Sequence, residues 1–439
     1  MISDSKMMKE YMHIQEGMNK GAGKVSVRGW VYRERGSSKV KFIVLRDSTN
    51  IIQCVIKKEV VGEKKFEVAD KIQVEASLTI TGEIKPDERA PSGFEIAVEE
   101  FEVVGESDSF PITKDQSPEF LLDNRHLQLR TRKLTAALKI RSTVTGAIHK
   151  FFRSKGYHEY TSPILQPNQC EGGSTLFEVK YYNEITYLAQ TWQLYAEAAV
   201  FSLEKIYNVS PTFRAEKSKT SRHLSEFWMA EMEAAWMELG EVTELVKEEI
   251  KFIMKEVLEH NKEELKTLER DVSKLQLCLE KEFPTITYTE AMKLLKEKCN
   301  MDVEWGKDLR TTEEEKLMTL FDVPVVVTNY PKEIMAFYKP SDPKDPKTAL
   351  CFDMLAPDGY GEIVGGSQRE TNIEVLKKEL KKEGEDVKNY EWYLDLRRYG
   401  SVPHSGYGLG VERVIAWIIG AENIKDTIPF PRTMLRSRP

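Results

Sequence analysis

Hydrophobic and polar residues alternate along residues 24–105. In "KVSVRGWVY", Val25, Val27 and Val31 fall on one face and Arg28, Trp30 and Tyr32 on the other. A period of two is the mark of a half-buried strand. "KFIVLRD" and "IIQCVI" follow on either side of the turn "DSTN", and "DKIQVEASLTITGEI" and "GFEIAVEEFEVVG" complete about five strands in under 90 residues. Residues 106–130 are polar, contain two prolines and read as a hinge. The period then becomes helical. Apolar residues recur at 134, 137, 138, 140, 144, 148 and 151, and Gly156 suits the C-terminal cap. "YHEYTSPIL" predicts a strand ended at Pro163. A Glu/Lys-rich stretch from 241 carries Val242, Leu245, Val246, Ile250, Ile253 and Val257 at helical spacing. It predicts a helical insertion over about 241–330 with solvated charged faces. The expected architecture is α+β: a barrel over 1–105, a hinge over 106–130 and a larger domain over 131–439.

Composition narrows the class. With 439 residues the chain is long enough for two or three domains, and 41% hydrophobic against 31% charged residues is globular. The first twenty residues hold no signal-type apolar core. No apolar run approaches the ~20 residues of a membrane span. Five scattered cysteines without a C-x-x-C predict neither a disulfide framework nor a zinc site. A cytoplasmic protein without membrane contact is expected. The net charge of −7 argues against wholesale nucleic-acid binding. Residues 21–60, however, hold nine Lys/Arg against three Asp/Glu. Such a stripe can bind a polyanion locally, although charge alone fits a solvated basic face better, and the five short strands fit a barrel of the oligonucleotide-binding (OB) kind. In such barrels the second and third strands form the ligand face, which places Phe42 and Gln53 there; Phe42 can stack a base on that face, although a lone phenylalanine on a strand is more often core.

Three stretches concentrate function-capable residues. "PTFRAEKSKTSRHLSEFWMAEMEAAW" (211–236) alternates Arg214 and Glu216 and then brings Arg222, His223, Leu224, Glu226 and Phe227, with Glu231 and Glu233 on a returning strand. Such a hairpin can hold a triphosphate between arginines and an adenine on Phe227. "CFDMLAPDGYGEIVGGSQRE" (351–370) sets Asp353 and Glu362 on two strand-like runs, a hard-oxygen pair suited to Mg²⁺. "GYGLGVERV" (406–414) has G-x-G-x-G spacing, which is not the G-x-G-x-x-G dinucleotide fingerprint. Its glycines shape a strand-to-helix passage from which Arg413 can reach an anion. An isolated Arg or Glu on a strand is ordinarily just solvated. The joint appearance of these three stretches is not.

Together they resemble the class II aminoacyl-tRNA synthetases, whose three signature motifs stand in order over nearly the whole chain. Motif 1 resembles the helix-strand ending at Pro163, which the family uses as a homodimer interface. Motif 2 runs from Phe213-Arg214-x-Glu216 to Phe227, and motif 3 is "GYGLGVER". The resemblance implies ATP held by Arg214, Glu216, Arg222, His223, Leu224, Phe227, Glu362, Gly410 and Arg413. Arg214, Glu362 and Arg413 would be catalytic, with Mg²⁺ on Asp353 and Glu362. The barrel ahead fits the subclass that reads Asp, Asn or Lys tRNAs, and implies anticodon contacts from Arg33, Phe42 and Gln53.

Within that subclass "YLAQTWQLYAEAA" (187–199) resembles the substrate loop of the aspartyl and asparaginyl enzymes. Aspartyl enzymes carry a lysine where this chain has Ala196, followed by Glu197. A buried substrate carboxylate without that cation is costly, whereas a neutral amide needs none. Glu231 also matches the asparaginyl pattern, where aspartyl enzymes have Asp. The resemblance implies L-asparagine, ATP and tRNA(Asn) as partners. Arg369 would meet the amide oxygen, and Glu171, Gln193, Glu197, Arg214 and Glu231 would complete the amino-acid site. Thr191-Trp192 depart from the small pair usual there. The rivals are an aspartyl enzyme, including a non-discriminating one, an asparagine synthetase-like paralogue, and a binding paralogue with a dead site. Ala196 stands against the first, the barrel against the second, and the joint presence of Arg214, Glu362 and Arg413 against the third.

Overall fold

The computed structural model describes residues 10–170, 175–218 and 220–439, and the chain divides into two compact units between Ser117 and Pro118. In the first, β1 (Gly23–Gly36), β2 (Val40–Arg46), β3 (Ile51–Lys57), β4 (Ser77–Pro86) and β5 (Phe94–Gly105) close into a barrel in the order β1-β2-β3-β5-β4. The alternating valines Val25, Val27 and Val31 point inward with Ile43, Leu45, Ile52, Cys54 and Ile56. A bulge interrupts β1. Val31 pairs with Leu45 but Arg33 pairs with Val44, so Tyr32 is an extra residue. The bulge reverses the facing of the strand beyond it. Arg33 and Arg35, odd-numbered like the buried valines, are exposed instead.

The second unit continues with β6 (His158–Glu159), β7 (Leu165–Gln166), β8 (Glu178–Tyr181), β9 (Glu184–Leu188), β10 (Lys205–Phe213), β11 (Glu226–Ala235), β12 (Thr285–Thr287), β13 (Val325–Thr328), β14 (Cys351–Ala356), β15 (Gly361–Gln368) and β16 (His404–Gly410). Eight of these form one sheet in the order β12-β13-β14-β15-β16-β11-β10-β6, antiparallel except at its two ends. β7, β9 and β8 form a separate small sheet. One face of the large sheet is covered by the helices Arg132–Ser154, Leu239–His260 and Val411–Ile419. Ile140, Val144, Phe152, Val246, Ile250 and Ile415 pack there on Met232, Val364, Tyr407 and Leu409. That apolar face fixes the strands, so the opposite face is left for chemistry.

Three sequence readings change in detail. Residues 118–128, inside the stretch read as a hinge, form two short helices, Pro118–Asp123 and Arg125–Gln128. Arg125 ties them down by donating to the carbonyls of Lys425 at 2.6 Å, Ile428 at 2.9 Å and Pro429 at 2.8 Å. The stretch "YHEYTSPIL", read as one strand, is split: His158–Glu159 pairs with β10 in the large sheet, and Leu165 begins β7 of the small one. The 241–330 stretch is not purely helical: it supplies β12 and β13 to the sheet.

Candidate active site

The β10–β11 hairpin builds the first wall. Phe213 pairs with Glu226, and beyond the last pair the Arg214 amide donates to the Ser225 carbonyl at 3.0 Å. The Arg214 guanidinium lies over the Phe227 ring, 5.5 Å from its centroid, and its buried Nε has no partner. An orphaned charged donor is costly to bury and is ready for an anionic acceptor. β16 forms the floor. Tyr407 and Leu409 point into the core, so Gly406, Gly408 and Gly410 all face the site. A Cβ on Gly406 would lie 2.2 Å from the Glu233 carboxylate carbon, and one on Gly408 would lie 2.4 Å from Met229 Cε. The glycines are the space that neighbouring side chains occupy.

Arg214, Glu216, Arg222, His223, Leu224 and Phe227 from the hairpin, Glu362 from β15, Gly410 at the end of β16 and Arg413 from the following helix line one cavity. These are all nine residues read as ATP-binding. A second cavity of about 580 Å³ adjoins it through Arg222, His223, Glu362 and Arg413. Arg413 Nη1 donates to Glu362 at 3.0 Å and to its carbonyl at 2.9 Å. Burial raises the Glu362 carboxyl, but Arg413, Arg214 and Lys339 outweigh it and hold the group below the usual carboxylate range. His223 is pushed down by burial, against the attraction of Glu216, and further by Arg413, Arg214 and Arg222. It lies 3.5 Å from Glu216.

Asp353 and Glu362 converge over Gly365, where an added Cβ would meet Glu362 Oε1 at 3.1 Å and Asp353 Oδ1 at 3.3 Å. Burial and then the Glu362 charge push Asp353 well above the carboxylate range. Glu314 joins them: its carboxylate accepts from the Glu362 amide at 3.3 Å, and burial with the Glu362 charge raises it to about 7. Among the described residues no group of three or more His, Cys, Asp and Glu side chains is arranged to hold a metal alone. Two converging carboxylates beside an anion site do suit Mg²⁺, which takes one or two carboxylates and completes its shell with phosphates and water. Glu314 was not singled out from sequence. In "TTEEEK" it is indistinguishable from a solvated helix face.

The residues expected to hold the amino acid lie along the same strands, with Glu231 paired to Gly408 and Glu233 to Gly406. Trp192 N donates to Glu231 at 3.0 Å, and the Thr191 hydroxyl donates to its other oxygen. Thr191 also accepts from Gln193 N at 3.1 Å. The unusual Thr191-Trp192 pair is therefore a built anchor: Trp192 is buried and its indole donates to the Tyr160 carbonyl at 2.8 Å. Arg369 makes a fork-shaped pair with Glu233, through Nη2 and through Nε at 3.2 Å, and Nη1 donates to Ser367 at 2.8 Å. Gln193 Nε2 donates to Glu197 at 3.0 Å. The other Glu197 oxygen contacts Tyr393 at 2.7 Å, Arg397 at 2.5 Å and His404 at 3.1 Å. Glu197 is fully buried behind Gln193 rather than facing open space. Burial raises it, but Arg397 and His404 hold it well below the carboxylate range. Ala196 is enclosed by Trp192, Val200 and Ile206, so position 196 brings no cation to the site. Glu171 lies outside the described residues.

On the barrel, Phe42 is half-buried with the Arg35 guanidinium 5.0 Å from its ring centroid, and Arg33 is exposed. Gln53 is 5% exposed and donates to Glu95 at 3.1 Å, so it is already partnered. Pro163 is exposed beside Ile164 and Leu165.

An antiparallel sheet with a glycine-floored anion cavity between two arginines, preceded by an OB barrel, defines a class. The chain belongs to the class II tRNA synthetases of the D, K and N group, matching that family over residues 117–434 and the OB-fold nucleic-acid-binding domain over residues 25–104. Among its relatives are asparagine–tRNA ligases. That of Thermoplasma acidophilum is 46% identical over 95% of this chain and 96% of its own length, and that of Pyrococcus horikoshii is 48% identical with the same coverage. The solved P. horikoshii asparaginyl-tRNA synthetase complexed with asparaginyl-adenylate has 47% identity and a TM-score of 0.94, covering 98% of this chain and 100% of that one. The Entamoeba histolytica aspartyl-tRNA synthetase has 27% identity and a TM-score of 0.85, covering 99% of this chain and 94% of that one.

Proposed function

We propose that this chain ligates L-asparagine to tRNA(Asn) in two steps, consuming ATP and releasing AMP and pyrophosphate. The observation that carries the reading is the convergence of Arg214, Glu362 and Arg413 on one cavity, beside a buried pocket built on Glu231 and Arg369. In the first step an asparagine carboxylate oxygen attacks the α-phosphorus of ATP. The bond to the bridging oxygen breaks and pyrophosphate leaves. The substrate supplies the nucleophile, so the protein's part is positioning and charge stabilisation. Arg214 holds the α-phosphate as charge grows there. Arg222, His223 and Arg413 hold the β- and γ-phosphates, and Phe227 stacks the adenine. Asp353 and Glu362 would hold Mg²⁺, which neutralises phosphate charge when bound. Arg369 meets the side-chain amide oxygen, Glu231 accepts from the amide or ammonium N–H groups, and Gln193 orients the substrate. In the second step the terminal ribose hydroxyl of the tRNA attacks the adenylate carbonyl carbon and AMP leaves.

The barrel reads the anticodon, with Phe42 stacking a base and Arg33 contacting the backbone or a base edge. Phe42→Ala weakens tRNA(Asn) by about 1–3 kcal/mol and leaves adenylation intact. An unchanged KM for tRNA in aminoacylation would refute that role. The chain acts as a cytoplasmic homodimer paired around Pro163. The exposed apolar residues Ile164, Leu165, Tyr182 and Ile185 support that pairing, and a sedimentation mass of one chain would count against it. Among the described residues no helix is long and apolar enough to cross a membrane.

The test of specificity is ATP–pyrophosphate exchange with each amino acid, without tRNA. Exchange with asparagine alone is expected. Exchange with aspartate at comparable kcat/KM returns the aspartyl reading, and exchange with neither removes the adenylation chemistry.

A further inference from the structure

Residues 431–438 are fastened by their backbone to the mouth of the β10–β11 hairpin. Ser225 N donates to the Arg432 carbonyl at 2.8 Å, and Glu226 and Arg432 form an antiparallel bridge. The same Ser225 accepts from Arg214 N at 3.0 Å, so this segment touches the loop that leaves the ATP cavity. Thr433 and Arg436 then exchange two backbone bonds of 3.0 Å and close a tight turn. Its tip, Met434 and Leu435, is left in solvent, with Leu435 73% exposed. Three of the seven residues 432–438 are arginines. Arg436 is spoken for, donating to Asp123 at 2.7 Å. Arg432 and Arg438 make no ion pair among the described residues, although the chain as a whole carries a net charge of −7.

Uncompensated arginines flanking an apolar tip match the chemistry of a nucleic-acid end. Guanidinium groups bind phosphates, and an apolar tip can lie against an exposed base face. A polyanion must also come to this place, because the adenylate formed in the cavity is consumed by a ribose hydroxyl at the end of an RNA strand. We propose that Arg432 and Arg438, on either side of the Met434–Leu435 tip, bind the phosphates of the acceptor end of the tRNA and guide its terminal ribose toward the adenylate. This rests on the tRNA-ligase reading above. It concerns a contact separate from the barrel and from the residues assigned to ATP and asparagine.

The test is the double variant Arg432→Gln/Arg438→Gln in the full chain, with a tRNA(Asn) transcript. Neither side chain takes part in the cavity, and the backbone bonds that fasten the segment are kept. The expected result is a KM for tRNA in aminoacylation raised roughly tenfold, with the slope of log KM against log salt shallower by about one for each arginine. Asparagine-dependent pyrophosphate exchange should stay within about twofold, since no phosphate contact to tRNA enters that step. Unchanged tRNA KM and salt slope with intact exchange overturns the proposal and leaves the ligase reading standing. Exchange and aminoacylation falling together also overturns it, because the segment then acts through the hairpin. A wild-type chain without asparagine exchange would instead remove the ligase reading itself.

Discussion

Arg214→Ala reduces asparagine-dependent pyrophosphate exchange by about 10³-fold or more, without unfolding the protein. The loss follows from position. Arg214 stands at the mouth of the hairpin with its guanidinium over Phe227 and its Nε unpartnered. A pre-placed charged donor aimed at charge that develops on the α-phosphate is worth a few kcal/mol in rate. Stability should change little. Alanine forfeits a cation–π contact of about 0.5–1 kcal/mol. It also removes a buried donor with no acceptor, whose presence costs about 1–3 kcal/mol. Equal thermal unfolding with abolished exchange is the expected pair of measurements. Exchange at the wild-type rate would sink the assignment.

Arg369→Gln has two effects that can be separated. Asparagine use is lost, since the amide oxygen has no other charged donor assigned to it. The fold is also weakened, because Glu233 is left buried, and breaking one partner of a buried pair costs about 3–5 kcal/mol. The pH dependence has a definite sign. Burial already pushes Glu233 up to about 7 against the pull of Arg369, and removing Arg369 raises it further. A folded-state pKa above the unfolded value contributes stability at acid pH that is lost as pH rises toward the folded value. In thermal melts the deficit of Arg369→Gln relative to wild type is therefore flat from pH 5 to about pH 6, where Glu233 is protonated in both folded chains, and grows above about pH 7, where the wild-type group ionises beside Arg369 and the variant's does not. Adding Glu233→Gln removes the buried charge, so the double variant recovers stability but not asparagine exchange. Recovery of both would show that Arg369 acts only as a structural counter-ion.

The stretches that build the candidate site were legible because their spacing is a local property. Gly406, Gly408 and Gly410 recur every second residue, the period of a strand face, and all three look into the site. Arg214, Glu216 and Phe227 lie at or just beyond the open end of a single hairpin, whose last ladder pair is Phe213 with Glu226, so their order along the chain already brings them near one another. Gln53 shows where the same logic weakens. Its strand was legible, but its availability depends on Glu95, a residue from another strand. Glu314 was illegible because its run of three glutamates resembles any exposed helix turn until the sheet brings Glu362 against it.

The barrel strands, the long helix after the linker and the strand-to-helix passage at Gly410 were already written in the order of residues, as was the grouping in three short stretches of the residues that line one cavity. Each depends on side-chain periodicity or on neighbours a few positions apart, where backbone geometry alone decides which groups share a face. Which charges pair was settled by the packing of the folded chain. Glu233 with Arg369, and Glu197 with Arg397 and His404, join residues more than 130 positions apart. Whether such a group is a ligand, an anchor or a solvated surface charge depends on desolvation and on the partner that compensates it. Burial is a property of the packed chain, and no period in the sequence encodes it.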